Sequence, residues 1–153
     1  MIQKLMNKPL LINPQSLASM MLDSLFLSVP KKDDLTVVAS DVGNLKQKNS
    51  KTYNIHNSIA VIPIHGLFTK NCQYSSHFFV TTSYNGIHEL IATALEDSKV
   101  NSILLDIDSP GGEVGGLFDL VDFIYESREA KPIYAFANDH AFSAAYAIAF
   151  CSI

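Results

Sequence analysis

Three short apolar runs, separated by stretches of helical period, limit what this chain can fold into more than any other feature. The first is Ile59-Ala60-Val61-Ile62 with Ile64, ending at Gly66. The second is Ile103-Leu104-Leu105-Asp106-Ile107, and the third runs from Ile133 to Ala137. Runs this short, closed by turn residues, are the pattern of buried strands. After Ser83, a good helix cap, Ile87, Leu90, Ile91, Ala94 and Leu95 recur at helical spacing. Val114, Leu117, Phe118, Val121, Ile124 and Tyr125 share a second helical face, which Pro132 ends. Ser143 to Ala149 begins a third core helix. Strands alternating with helices predict an α/β fold with a parallel sheet and right-handed crossovers. Sites in such sheets form at the carboxyl ends of strands. Two strand ends qualify here: Asp108 to Gly112, and Asn138 to Ser143.

The chain before this pattern reads differently. Asn13-Pro14 suits a helix start, and Leu17, Met20, Met21 and Leu25 then fall on one face. Pro30 to Tyr53 is polar and mixed in charge, which is the composition of a linker or loop. Residues 1–54 are therefore expected to be an N-terminal helix and linker, and 55–153 the α/β unit. Within it, Leu67 to Thr82 reads as a loop, with Phe78, Phe79 and Val80 as a short strand.

Charge and composition remove several functions. A net charge of −4 is wrong for a nucleic-acid binder, which needs a basic surface to neutralise phosphates. Cys72 and Cys151 form no Cys-x-x-Cys pair, and the histidines show no metal-ligand spacing. No metal or cofactor is expected, and the two thiols are read as reduced. The apolar stretch from Leu10 to Val29 is broken by Asn13, Pro14, Gln15, Ser16 and Asp23, so no membrane span is expected.

The chemistry concentrates at the two strand ends. In Ser109-Pro110-Gly111-Gly112-Glu113-Val114 the paired glycines let backbone approach a ligand closely. Their amides are expected near a helix N-terminus, which suits an oxyanion hole. The alternative is a tight strand-to-helix turn without a ligand. The ending of a phosphate loop is absent, as is the acid of a dinucleotide site. In Ala141-Phe142-Ser143-Ala144-Ala145-Tyr146 a serine opens a helix among small residues, and the Ala144 amide is placed to donate to an oxyanion. A plain N-cap serine is the alternative. Asp139 and His140 invite a triad with Ser143, but triads are usually assembled from distant segments. Asp106 and Asp108 face the same way on a strand, either as paired acids or as polar groups bonded to loop amides.

Taken together and in this order, these motifs resemble the signal peptide peptidase A (protease IV) family of serine peptidases, most closely its phage head-maturation (minor capsid) members. The stretches that carry the resemblance are Ala60-Val61-Ile62-Pro63-Ile64-His65-Gly66, Ile103 to Val114, Lys131-Pro132-Ile133-Tyr134-Ala135, and Ala141 to Tyr146; Lys8-Pro9-Leu10-Leu11-Ile12 is similar to the start of the phage members. The resemblance implies a Clp/crotonase-like fold, incomplete at the C-terminus of this chain. It implies Ser143 as nucleophile, Gly111, Gly112 and Ala144 as oxyanion-hole amides, and a lysine base. In single-domain members that lysine lies well downstream of the serine. Here the lysines after the first strand, Lys70, Lys99 and Lys131, all precede Ser143. The chain is accordingly expected to be a truncated form, inactive alone. The resemblance further implies a polypeptide substrate such as a capsid or scaffold protein, a homo-oligomer when full length, and a place in the host cytoplasm or the phage prohead. Two competing readings are a non-catalytic remnant or assembly subunit, and a crotonase-type acyl-thioester binder.

Overall fold

The three apolar runs lie side by side as parallel strands. In the computed structural model, residues 9–12, 53–71, 74–75 and 80–152 are described. In chain order the strands are β1 (Leu10–Ile12), β2 (Asn54–His56), β3 (Ile59–His65), β4 (Leu67–Thr69), β5 (Tyr74–Ser75), β6 (Val80–Ser83), β7 (Ser102–Ser109), β8 (Gly111–Glu113) and β9 (Ile133–Ala141). The helices are α1 (Tyr84–Glu96), α2 (Leu117–Ser127) and α3 (Ala144–Phe150). One sheet has the order β2-β3-β7-β9, with β3, β7 and β9 parallel and β2 antiparallel at the edge. Asn57 and Ser58, both at positive φ (49° and 64°), make the tight turn that joins β2 to β3.

A second, mixed sheet was not expected from the sequence. Its order is β1-β8-β4-β6-β5. The predicted glycine turn is instead its strand β8, held between β1 (Leu11 opposite Gly112) and β4 (Phe68 opposite Gly112). Helix α2 starts only at Leu117, after Gly116 at φ 89°, so the Gly111 and Gly112 amides do not sit at a helix N-terminus. Both glycines are dictated by crowding. A Cβ on Gly112 would lie 2.2 Å from Phe68 O, and one on Gly111 would lie 2.4 Å from Leu11 O. Through β1, residues 10–12 join the body of the α/β unit. The predicted helix from Asn13 and most of the predicted linker lie outside the described residues.

All three helices cover one face of the parallel sheet. Ala60, Ile62 and Ile64 of β3 and Ile103, Leu105 and Ile107 of β7 meet Ile87, Ile91 and Ala94 of α1, Leu120 and Ile124 of α2, and Ala144, Ala145 and Ile148 of α3. Burying each of the leucines and isoleucines among them contributes roughly 1.5–3 kcal/mol. The other face stays open among the described residues. β7 alternates between buried and half-buried positions, where the continuous apolar run had suggested burial throughout. Phe118 and Tyr125, expected on the core face of α2, are 63 % and 60 % exposed, because they sit at the margin of its apolar stripe.

Local signals explain the element ends. Ser83 caps α1 by accepting the Gly86 N–H at 3.0 Å. The last turn of α1 is closed by Lys131, whose Nζ donates to Ala94 O (3.0 Å) and Asp97 O (2.8 Å). Tyr53 is buried at the start of β2 and donates its OH to Asp97 (3.3 Å). Among the described residues no helix is long and apolar enough to cross a membrane.

Candidate active site

Ser143 stands between the end of β9 and the start of α3 at φ 59° and ψ −115°. A non-glycine residue there carries strain of about 1–3 kcal/mol. Its side chain makes no capping hydrogen bond, so an N-cap role does not offset that strain. A strand, a sharp strained serine and a helix is the arrangement that exposes a nucleophilic hydroxyl. Ala144 is the first residue of α3, and its N–H has no acceptor within the helix.

The two predicted strand ends meet. A Cβ on Gly111 would lie 3.0 Å from both Phe142 O and Ser143 Cβ, so this glycine, at φ 99°, backs directly onto the serine. Phe142 N–H donates to Ser109 O at 3.1 Å, which ties the end of β9 to the end of β7. Ser109 is fully buried and forms a relay. Its Oγ donates to Gly66 O (2.6 Å) and accepts the Gly111 N–H (3.1 Å). The Gly111 amide is therefore engaged inside the protein, and Gly112 lies opposite Leu11 within the β1–β8 ladder, two residues from the Val114 N–H bond to Pro9 O.

Glu113 continues β8 into a buried position. Its carboxylate accepts the Lys70 N–H at 2.9 Å, and its backbone carbonyl accepts the Tyr84 OH. Burial, reinforced by the Glu113 charge, pushes the Tyr84 phenol above its ordinary range. The aliphatic stem of Lys70 lies against Gly116, where an added Cβ would meet it at 3.2 Å. Lys131 is committed to the end of α1, and the Lys99 N–H bonds the Asp97 carboxylate beyond that helix. The structure brings none of these three lysines into contact with Ser143.

The carboxylates of β7 pair with histidines, not with loop amides. His65 Nε2 lies 3.4 Å from Asp106, and His140 Nδ1 lies 3.2 Å from Asp108. The triad of Asp139, His140 and Ser143 is not assembled, since His140 turns to Asp108. These partnerships, the Ser109 relay and the buried Glu113 were missed in the sequence. Only the same-face spacing of Asp106 and Asp108 gave a hint of the first. Among the described residues no group of three or more His, Cys, Asp or Glu side chains is placed to hold a metal ion.

No family model matches the chain. Head-tail preconnector protein GP5 of Enterobacteria phage P21 is 41 % identical over 103 residues, which is 67 % of this chain and 21 % of the phage protein. Capsid assembly protease C of Escherichia phage lambda is 35 % identical over 112 residues, 73 % of this chain and 26 % of that protein. Both phage proteins are homologues of this chain. The matched region spans about a quarter of their length.

Proposed function

We propose that this chain carries the nucleophile half of a serine peptidase that processes capsid or scaffold proteins during phage head assembly. The observation that carries the reading is Ser143, held strained and uncapped against Gly111 at the meeting of two strand ends. The reaction is attack of Ser143 Oγ on a peptide carbonyl, formation of an acyl-enzyme with loss of the amine, and hydrolysis by water. The Ala144 amide receives the oxyanion, and the Gly112 amide, opposite Leu11 in the β1–β8 ladder, joins it only where that ladder opens. The Gly111 amide, expected beside them, joins only by leaving Ser109 Oγ. The base is a lysine outside the described residues, kept as the neutral amine by burial, because a solvated ammonium cannot accept a proton.

Homology to a capsid assembly protease supports both the peptidase chemistry and the setting, in the host cytoplasm or the prohead. The parallel strands with helices on one face and a second sheet at their carboxyl ends agree with a Clp/crotonase-like fold of the signal peptide peptidase A kind. A second reading, a non-catalytic assembly subunit, is favoured by one observation: no described lysine touches Ser143. Treatment of the chain with a fluorophosphonate beside a Ser143→Ala version separates the two, because labelling needs the nucleophile but no turnover of a peptide. Labelling of the unaltered chain and none of the variant is expected. Equal labelling of both would remove Ser143 from the mechanism, and no labelling of either would favour the assembly subunit.

A further inference from the structure

The strand that covers β8 is made of the chain's own residues 10–12. β1 is three residues long and runs antiparallel to β8, with Ile12 opposite Gly111, Leu11 opposite Gly112 and Leu10 opposite Glu113. Gly111 in turn backs onto Ser143. A Cβ added to it would lie 3.0 Å from Ser143 Cβ and 2.4 Å from Leu11 O. A single glycine therefore stands between the candidate nucleophile and an extended piece of polypeptide. Glycine within a strand is the residue that lets a second backbone or a ligand come this close.

Main chain, more than side chain, holds this segment. Val114 N–H donates to Pro9 O at 3.1 Å. Mutual pairs recur at every second residue of an antiparallel ladder, so the next pair joins Leu11 and Gly112. Gly112 N–H then donates to Leu11 O, and Leu11 N–H to Gly112 O. Leu11 is 40 % exposed, and neither it nor Ile12 packs into the apolar core. A short strand without core packing opens more readily than the strands beneath the helices. While it is in place, Leu11 O occupies the Gly112 amide and Ser109 Oγ occupies the Gly111 amide. Neither amide is then open to a substrate carbonyl.

We infer that residues 9–12 are a built-in, displaceable occupant of the peptide-binding edge beside Ser143. They lie along β8 as an extended polypeptide does when it adds to a sheet, and they hold the Gly112 amide. An incoming polypeptide takes their place by making the same main-chain bonds. Release of Leu11 O frees that amide at the moment a peptide carbonyl arrives. The inference rests on the reading of Ser143 as a peptidase nucleophile, but exchange of the strand on β8 is measurable without that reading. Leu11→Pro opens the segment, because proline has no N–H to give to Gly112 O, and the exposed position supports no core packing.

The test is an amide-resolved NMR titration of the full chain carrying Ser143→Ala, with and without Leu11→Pro. The probe is acetyl-Lys-Pro-Leu-Leu-Ile-amide, the sequence of residues 8–12. Saturable shifts at Gly112 and Val114 are expected, with affinity at least about fivefold higher for the Leu11→Pro chain, whose edge is no longer occupied. Methylating the backbone nitrogen of the second leucine should abolish the gain. No saturable shifts, equal affinity for both chains, or a methylated peptide that binds as well would each overturn the assignment. So would loss of the folded core in the Leu11→Pro chain, because a displaceable strand cannot be required for folding. In chains that keep Ser143, fluorophosphonate labelling should be at least about fivefold faster with Leu11→Pro. Equal labelling rates would overturn the covering role. No labelling of either chain would count against the nucleophile, and the titration would then decide the strand exchange by itself.

Discussion

Ser109 shows how one side chain can hold the serine site together. It is buried, donates to Gly66 O and accepts from Gly111 N, so it fixes β8 against the turn that follows β3. Ser109→Ala would strand a buried donor and remove a donor from a carbonyl. A loss of about 1–3 kcal/mol in urea unfolding is expected. If the relay also sets the position of Gly111 beside Ser143, labelling of Ser143 should slow as well. At this scale the two strand ends that bring Gly111 against Ser143 were legible, because small residues gathered at strand ends stand out in a sequence. Ser109 was not, because a serine before proline has no sequence mark that distinguishes a relay from an exposed turn. The histidine–carboxylate pairs escaped for a related reason. His65 and Asp106 are far apart in sequence and meet only through the β3–β7 register.

At the scale of elements, periodicity located the three parallel strands and three helices to within a few residues. It failed for β8 and β4, strands of three residues each, which are too short to show a period. The glycine pair was read as a turn for its freedom, whereas it is needed to let β8 pass within contact of the backbones of β1 and β4. The end of α1 depends on a long-range cap that local propensity does not encode. Lys131 reaches across to Ala94 O and Asp97 O, and Lys131→Met keeps the stem but removes the charge. A loss of roughly 1–2 kcal/mol is expected in chemical unfolding, since charged donors to helix-end carbonyls outweigh exposed ion pairs. No change in denaturant dependence should accompany it, because the fold itself is unaltered.

For the whole molecule, the helices bury one sheet face while the other carries Tyr134, Phe136 and the two histidine–carboxylate pairs. The core also sets the pH response. Burial pushes the Cys151 thiol above its ordinary value, and Tyr84 is raised by burial and by Glu113. At alkaline pH the folded chain then binds more protons than the unfolded one. The stability from these groups is full below the ordinary thiol value and is lost as pH rises through and above it. Melting temperature should therefore fall from about pH 8.5 upward, and Cys151→Ala should flatten the first part of that fall. A melting temperature that rose over the same range would contradict the burial assigned to both groups.

The most direct measurement is the intact mass of the chain after treatment with a fluorophosphonate, beside its Ser143→Ala version, with the modified peptide sequenced. A single adduct on Ser143 in the unaltered chain, and none in the variant, is the expected result. No adduct, or an equal adduct on both proteins, would contradict the claim that the strained serine beside Gly111 is a nucleophile.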